Sequence, residues 1–320
     1  MGSFIAFREK VLYNGPGFYS EGERIMEQRK KRRGDRKDGW LLKDLPGMNK
    51  FIAHLYPNRT DNEAFVNLDI DVRPIDAYLA KKNEGKTEDK YTYFHLISAA
   101  MGRAFVLRPR MNRFVANNQI YERKYISMAF IVKKKFEDKA EEGLAFQYFD
   151  ENSTLDGFHT ELMQTIHKTR RTDEKDASMS TIDKVMNLPK IILRPVMRIC
   201  FFLDRHGWIP HSVSSVDPTY SSIFISNLGS IGLECGYHHL TNWGTNSCFV
   251  IIGKKRMVMD FDKTGKPDPH EVIPLGITLD ERIADGYYYS GTAALVKELL
   301  EHPWLLEEPA GTPVEYSIRR

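Results

Sequence analysis

A change of hydrophobic period within one short segment constrains the fold of this chain most. In AFVNLDIDVRPIDAYLAKKNE, residues 64–84, Leu68, Ile70 and Val72 are spaced by two, as in a half-buried strand. Pro74 then stands where a helix can begin, and the apolar residues that follow it have helical spacing. The segment predicts a strand that runs directly into a helix, and therefore a fold that mixes both elements.

The rest of the chain continues this mixture. TYFHLISAAMGRAFVLRP, at 92–109, has apolar residues at helical spacing and is ended by Pro109. ISMAFIVKKKF, at 126–136, has high β-propensity, and a long polar-faced helical stretch follows at 155–189. Strands then cluster in SSIFISNLGS, SCFVIIGKKRMVMDF and EVIPLGITLD, and SGTAALVKELLEHP predicts a last helix. We therefore predict an α+β fold.

We divide the chain into an N-terminal arm at 1–45, a main domain at 46–308 and a C-terminal tail at 309–320. The arm contains the basic run RKKRRGDRK at 29–37, for which two interpretations remain open. The run is either a solvated helix end or a docking surface for an anionic partner.

An apolar and basic segment, LPKIILRPVMRICFFLDRHGW, lies at 188–208. We assign it to a helical insertion in the main domain, at about 188–211. It is too short and too charged to span a bilayer. Two interpretations remain open: a core-facing or lid helix with basic outer positions, or a cationic helix that lies on a membrane surface.

Composition excludes several classes of function. The 46 Lys and Arg nearly balance the 43 Asp and Glu, so the net charge of +3 does not indicate a nucleic-acid partner. The three cysteines are too few and too scattered for a disulfide framework or a zinc site, and no apolar signal region opens the chain, so we expect a cytoplasmic protein. His238 and His239 are adjacent and lack a carboxylate at ligand spacing, so we expect no metal.

Two motifs carry candidate chemistry. FISNLG, at 224–229, is an apolar strand that ends in Ser-Asn and turns at a glycine, which places a hydroxyl and a carboxamide at the rim of a sheet. Such groups can donate hydrogen bonds to a developing oxyanion, although Ser-Asn-x-Gly is also a common turn. DERIADG, at 280–286, concentrates charged side chains between the last strand and the last helix.

The order of these motifs resembles the catalytic domain of the dihydrolipoyl acyltransferases of 2-oxo acid dehydrogenase complexes, a family that shares its fold with chloramphenicol acetyltransferase. MNKFIAHL is similar to the opening helix of that family, FISNLGSIG to its Ser-Asn-Leu-Gly strand, and KELLEHPWLL to its closing helix. DERIADG is similar to its signature Asp-His-Arg-x-x-Asp-Gly. The resemblance spans about 48–308 and implies a two-layer sandwich of a mixed sheet with helices, assembled as a homotrimer.

The resemblance also implies a reaction, the transfer of an acyl group between coenzyme A and a thiol, hydroxyl or amine acceptor at subunit interfaces. In the family, the signature histidine takes the acceptor's proton, the serine hydroxyl stabilises the oxyanion and the last aspartate holds the loop through a salt bridge. Carried over, these roles fall on Glu281, Ser226 and Asp285. The supporting positions are Asn227, Arg282, Gly286, His238 and His239.

The departure from the family is Glu281, which stands where the signature has histidine. Glutamate is ordinarily a weaker base than histidine at neutral pH. Burial would make Glu281 a usable base, whereas an ion pair with Arg282 would only fix the loop. His238 and His239 are the two histidines that we consider for the role of the missing signature histidine.

No lipoyl-bearing domain precedes the resembling region, so we expect a stand-alone CoA-dependent acyltransferase without a metal. The alternative is a catalytically silent trimeric homologue that binds acyl-CoA or another partner.

Overall fold

The computed structural model of the chain describes residues 10–12, 30–133, 142–171, 186–262 and 264–318. The helices are α1 Gly47–Leu55, α2 Arg73–Lys82, α3 Tyr93–Leu107, α4 Leu155–Arg171, α5 Lys190–His206, α6 His211–Ser214 and α7 Gly286–Glu301. The strands are β1 Lys10–Leu12, β2 Gly39–Leu41, β3 Glu63–Asp71, β4 Arg113–Ala116, β5 Gln119–Arg123, β6 Ile126–Lys133, β7 Glu142–Phe149, β8 Ile223–Asn227, β9 Cys248–Ile252, β10 Arg256–Phe261, β11 Pro267–Asp280 and β12 Glu315–Ser317.

The main sheet is mixed. Its strands β7, β6, β8 and β9 lie side by side, with β8 parallel to both β6 and β9. The long strand β11 pairs with β9 and then β10 along one edge and with β3 along the other, always antiparallel. Together with the helices this confirms the predicted α+β class.

Alternate residues of the strands face opposite sides of the sheet. Ile223, Ile225 and Val250 point to the side that α2, α3, α4 and α7 bury. Phe224 and Phe249 point to the other side, where they pack together under the loop at 228–247. This second face carries Ser226, because it lies two residues from Phe224 on the same strand.

The loop crosses the second face in direct contact with the sheet. A Cβ on Gly276 of β11 would collide with the carbonyl oxygen of Gly236. Glycine is therefore required at this strand position, where another backbone approaches closely.

Helices follow the sequence signals closely. α2 begins after β3 with Pro74 in its first turn, as predicted, and α3 ends two residues before Pro109. α7 begins at Gly286 rather than at Ser290, because the Asp285 side chain caps it by accepting the N–H of Tyr288 at 2.9 Å.

Part of the segment that we assigned to an N-terminal arm packs as part of the body. β2 pairs with β5, and β5 pairs with β4 in a small sheet. Within the basic run, Arg36 is buried, and its guanidinium donates to the carbonyl oxygens of Asp204 and Arg205 at 3.0 and 3.1 Å. This cation therefore caps the C-terminal end of α5. In the predicted tail, β12 pairs with β1.

α5 is a surface helix that is anchored at its C-terminal end. Asp204 is buried and accepts hydrogen bonds from the Tyr220 hydroxyl at 2.6 Å and the Gly244 N–H at 3.2 Å. The outward side chains Ile191, Ile199 and Phe202 are exposed. Among the described residues, no helix is long and apolar enough to cross a membrane.

Candidate functional site

The DERIADG loop is held by a buried ion cluster. Arg282 donates two hydrogen bonds to the fully buried Asp280, from Nε to Oδ1 at 2.8 Å and from Nη2 to Oδ2 at 2.7 Å. The remaining amino group of Arg282 donates to the carbonyl oxygen of Tyr56 at 3.0 Å. Arg59, whose pKa burial lowers to about 10, has its Nε 3.5 Å from Oδ2, the carboxylate oxygen that Nη2 of Arg282 also binds. The loop is therefore fixed without any contribution from the side chain at position 281.

Glu281 itself is exposed. Its backbone N–H donates to the carbonyl oxygen of Asn62 at 2.8 Å, and within the described residues its carboxylate makes no hydrogen bond or ion pair. The structure therefore contains neither the buried Glu281 nor the ion pair with Arg282 that we considered, because Arg282 is already bound to Asp280.

Asp285 and Gly286 shape the start of α7. Asp285 is exposed, caps the helix and lies 3.9 Å from the guanidinium of Arg110. Asp285 thus contributes a helix cap and a long ion pair with Arg110, and the closer ion pair that holds the loop is the one between Asp280 and Arg282. A Cβ on Gly286 would meet open space, so packing does not require glycine there.

Ser226 and Asn227 end β8 as the sequence predicts. Ser226 is half-buried on the second face of the sheet, and within the described residues its hydroxyl makes no hydrogen bond. The Asn227 carboxamide oxygen accepts the N–H of Ser230 at 3.2 Å and so starts the turn that follows. The Ser226 hydroxyl is consequently available to a ligand at a rigid strand end.

The two motifs lie far apart within one chain. Ser226 pairs with Ile251, and Ile251 pairs with Gly276, which places Ser226 two strands away from β11. Glu281 follows Gly276 by five residues along the chain. It therefore lies beyond the end of the strands that is opposite to Ser226. Strand geometry then separates Ser226 from Glu281 by about 20 Å. The two side chains of one chain are too far apart to act on a single carbonyl group.

His238 and His239 lie in the loop that covers the second face, and both are exposed. The His238 ring stacks on Phe249 with centroids 4.2 Å apart, and its Nδ1 donates to the carbonyl oxygen of His239 at 2.7 Å. The Nδ1 of His239 instead donates to the carboxylate of Glu63 at 2.8 Å. The two histidines are adjacent in the sequence, but in the structure they have different hydrogen-bond partners.

A cavity of about 330 Å³ opens beside the same loop. Burial raises the pKa of the Cys235 thiol in its wall, so this cysteine is not primed as a nucleophile. Within the described part of the chain, no group of three or more His, Cys, Asp or Glu side chains could hold a metal ion. The cavity is lined by Asn67, Glu234, Cys235, Tyr237, Arg256 and Pro274.

Three buried charged residues of this region were not singled out from the sequence. Asp280 and Arg59 hold the loop, and Glu63 holds His239. The only local signal was for Asp280, which is the first residue of the DERIADG motif.

Comparison with known proteins gives one family match. Residues 211–307, less than half of the chain, match the family described as 2-oxoacid dehydrogenases acyltransferase (catalytic domain). The matched range contains both Ser226 and the DERIADG loop. A search of curated proteins finds no match to the sequence.

Solved structures give the fold. A probable dihydrolipoamide acetyltransferase from Listeria monocytogenes is similar with a TM-score of 0.54 and 15% identity, over 82% of this chain and 95% of that chain. Dihydrolipoamide acetyltransferase from Azotobacter vinelandii, in which a serine, a histidine and an asparagine were investigated for roles in catalysis, gives 0.53 and 14%, over 83% and 93%. A chloramphenicol acetyltransferase gives 0.52 and 12%, over 82% and 99%. The chain therefore has a chloramphenicol acetyltransferase-like fold, and its residues 211–307 match the acyltransferase catalytic-domain family of 2-oxoacid dehydrogenases.

Proposed function

We propose that the chain is a stand-alone CoA-dependent acyltransferase that passes an acyl group between coenzyme A and a thiol, hydroxyl or amine acceptor. One observation carries this proposal. The range matched by the acyltransferase family contains both Ser226, at the end of β8, and the anchored loop that presents Glu281. Both motifs thus occur in the matched range, on a fold that the similar acetyltransferase structures also have.

Ser226 is the oxyanion donor in this proposal. Its hydroxyl is half-buried, has no partner among the described residues and stands at a rigid strand end shaped by Asn227. A donor that is fixed before the reaction stabilises the negative charge that develops on the thioester carbonyl oxygen, because it needs no reorganisation when the tetrahedral intermediate forms.

We propose further that the site is completed between copies of the chain in a homotrimer. The separation of about 20 Å between Ser226 and Glu281 supports this arrangement, since each side chain would meet the other from a neighbouring copy. The edge strand β10 also presents the exposed side chains of Met257, Met259 and Phe261, which one chain leaves uncovered. Exposed apolar side chains of this kind are typical of protein interfaces.

Turnover of acyl-CoA tests the proposal. Purified protein is incubated with acetyl-CoA and longer acyl-CoA thioesters and a panel of thiols, alcohols and amines, and free CoA is measured. We expect saturable release of CoA, and a loss of about 10²–10³-fold in kcat for Ser226→Ala. Ser290→Ala, on the exposed side of α7, is the matched control and keeps wild-type turnover. Absence of CoA release with every acceptor contradicts the proposed activity.

Mixed oligomers test the shared site. Glu281→Ala chains that keep wild-type turnover exclude Glu281 from the mechanism. Where Ser226 and Glu281 do act on the same acyl group, Ser226→Ala chains and Glu281→Ala chains each lose activity. Co-refolded at equal amounts, they regain about a quarter of wild-type activity if every site draws one group from each of two copies. A mixture as inactive as its parents contradicts a site that is shared between two copies.

A second candidate function is a catalytically silent trimeric homologue that binds acyl-CoA. The observation that favours it is Glu281 at the motif position, with a carboxylate that no described residue activates. Calorimetry with CoA and acetyl-CoA separates the two candidates. Tight binding without turnover supports a sensor or scaffold, whereas turnover excludes the silent homologue.

The surface of α5 supports a proposal about location. Its exposed Ile191, Ile199 and Phe202 lie beside Arg194 and Arg198, a combination suited to an anionic membrane surface. We propose that the protein is located in the cytoplasm, and its three free cysteines are consistent with this location.

A further inference from the structure

We propose that His239, oriented by Glu63, is the general base of the acyl transfer and takes the role that a histidine at position 281 would have. This inference rests on the proposed acyltransferase function and names the residue that removes the acceptor's proton.

The pair has the geometry of an oriented imidazole. The Glu63 side chain is only 5% exposed, whereas the His239 side chain is 83% exposed. One carboxylate oxygen accepts from Nδ1 of His239 at 2.8 Å, and the other accepts from the backbone N–H of Leu240 at 2.6 Å. Glu63 therefore holds both the ring and the loop segment that carries it.

This arrangement assigns the two nitrogens of the ring. A carboxylate accepts and cannot donate, so Nδ1 of His239 carries a proton. In the neutral imidazole the lone pair is then on Nε2, which is directed away from Glu63 and has no partner among the described residues. The carboxylate also stabilises the imidazolium that forms when Nε2 accepts a proton.

The position of the pair explains why it can replace the missing histidine. Glu63 lies opposite Asp280 in the β3–β11 ladder, and the N–H of Glu281 donates to the carbonyl oxygen of Asn62. The backbones of Glu63 and Glu281 are therefore about 6 Å apart. His239 is held at the same end of the strands as the DERIADG loop. Ser226 of the same chain lies at the opposite end of the strands.

His238 does not offer the same chemistry. Its Nδ1 donates to a backbone carbonyl instead of a carboxylate, so no negative charge stabilises its protonated form. One face of its ring is covered by Phe249, on which it stacks. Of the two adjacent histidines, His239 alone is paired with a buried carboxylate.

In the proposed step, His239 removes one proton and later returns it. Nε2 of His239 removes the proton from the acceptor thiol, hydroxyl or amine, and the acceptor's electron pair forms a bond to the thioester carbonyl carbon. The resulting oxyanion is bound by Ser226 of a neighbouring copy. The carbon–sulfur bond then breaks, and the departing CoA sulfur takes the proton back from Nε2 and leaves as the free thiol. Glu63 remains ionised throughout and is a positioning residue.

Single substitutions test the assignment against acyl-CoA turnover. We expect His239→Gln to lower kcat/KM by about 10²–10⁴-fold, the usual contribution of a general base. Glu63→Gln gives a smaller loss, because an amide keeps one acceptor but cannot stabilise the imidazolium. The matched control is His302→Gln, which removes another surface histidine paired with a glutamate, at 2.9 Å from Glu298. It keeps wild-type turnover.

Two further readouts separate catalysis from structure. The wild-type rate depends on pH through one ionisation of the free enzyme, and that dependence disappears in His239→Gln. In His239→Ala, added imidazole restores part of the activity, because the exposed site admits a free base; Leu240→Ala, which alters the same loop, gains nothing from imidazole. Circular dichroism and oligomer size are compared for every variant.

Each outcome is decisive. Turnover that survives in His239→Gln, or activity lost in Glu281→Ala or His238→Gln but kept in His239→Gln, overturns the assignment and leaves the acyltransferase function intact. Absence of turnover by the wild-type protein with every acceptor overturns the proposed function and the role of His239 together.

Discussion

We expect the stability of this fold to be sensitive to acid, because the fold buries two neighbouring histidines, His95 and His159. His95, in the first turn of α3, is 5% exposed, and its Nδ1 accepts the N–H of Thr92 at 3.0 Å. The proton of the neutral ring is therefore on Nε2, which is buried without a hydrogen-bond partner. The ring of His159 lies 4.7 Å away, and Tyr91 stacks on it. Burial, together with the neighbouring His159, lowers the pKa of His95 to about 3, and Asp89 acts in the opposite direction.

The sign and size of the effect follow from linkage. The folded chain keeps His95 neutral, whereas the unfolded chain binds a proton near the ordinary histidine pKa of about 6.5. The contribution of neutral His95 to the free energy of unfolding is fully present above that pKa. It is lost as the pH falls below that value, until the folded chain also titrates at a pKa of about 3. Acidification from pH 7 to pH 5 then lowers the free energy of unfolding by about 2 kcal/mol through His95. Burial also lowers the pKa of His159, which adds to the loss in the same direction.

Urea unfolding at pH 7 and pH 5, at one fixed protein concentration, measures this difference. In His95→Gln the side-chain oxygen still accepts the N–H of Thr92 but cannot titrate, so we expect the difference to shrink by about 2 kcal/mol. His211→Gln removes an exposed histidine and is the matched control, in which we expect the wild-type difference. If His95→Gln loses as much stability between the two pH values as the wild type, His95 does not carry the acid sensitivity.

Three further predictions concern the loop, the sheet and the surface. Asp280→Asn lowers the free energy of unfolding by about 3–5 kcal/mol in urea titrations, because it leaves two buried guanidinium groups without their carboxylate; a loss near zero contradicts this. Thr278→Val raises it by about 1 kcal/mol, because the Thr278 hydroxyl is buried without a partner among the described residues; destabilisation shows that the hydroxyl is satisfied. The wild-type protein co-sediments with anionic vesicles at low salt, and Arg194→Glu combined with Arg198→Glu abolishes it; wild-type protein that stays in the supernatant ends the membrane proposal.

The parts of the fold that the sequence predicts are those that local periodicity encodes. β3 and α2 follow from a change of period around Pro74, and α3 follows from one apolar face. β7 was not predicted. Nor was the β4–β5 hairpin, although Asn117 and Asn118 carry its signal, since asparagine tolerates the positive φ angles of 48° and 58° that the turn adopts.

The candidate site is predictable only in part, because its motifs are local and its partners are distant. Spacing within the two motifs identifies Ser226 and Glu281 without reference to the rest of the chain. The ion pair of Arg59 with Asp280 and the hydrogen bond of His239 to Glu63 join residues that are far apart in the chain, 176 positions in the second case. No local pattern states which of 43 acidic side chains meets a given cation, so these contacts require the packed sheet.

The anchoring of the DERIADG loop does not depend on the side chain at position 281. Asp280, Arg282, Ile283 and Ala284 are all buried, and the ion cluster fixes the backbone through the first two. Glu281 is the exposed residue among them, and its side chain takes no part in the anchoring. A substitution at position 281 therefore changes an exposed side chain and leaves the ion cluster that fixes the loop intact. In the transfer that we propose, His239 is the better-placed proton acceptor of the two, because the Glu63 carboxylate orients its ring, whereas no described residue orients the Glu281 carboxylate.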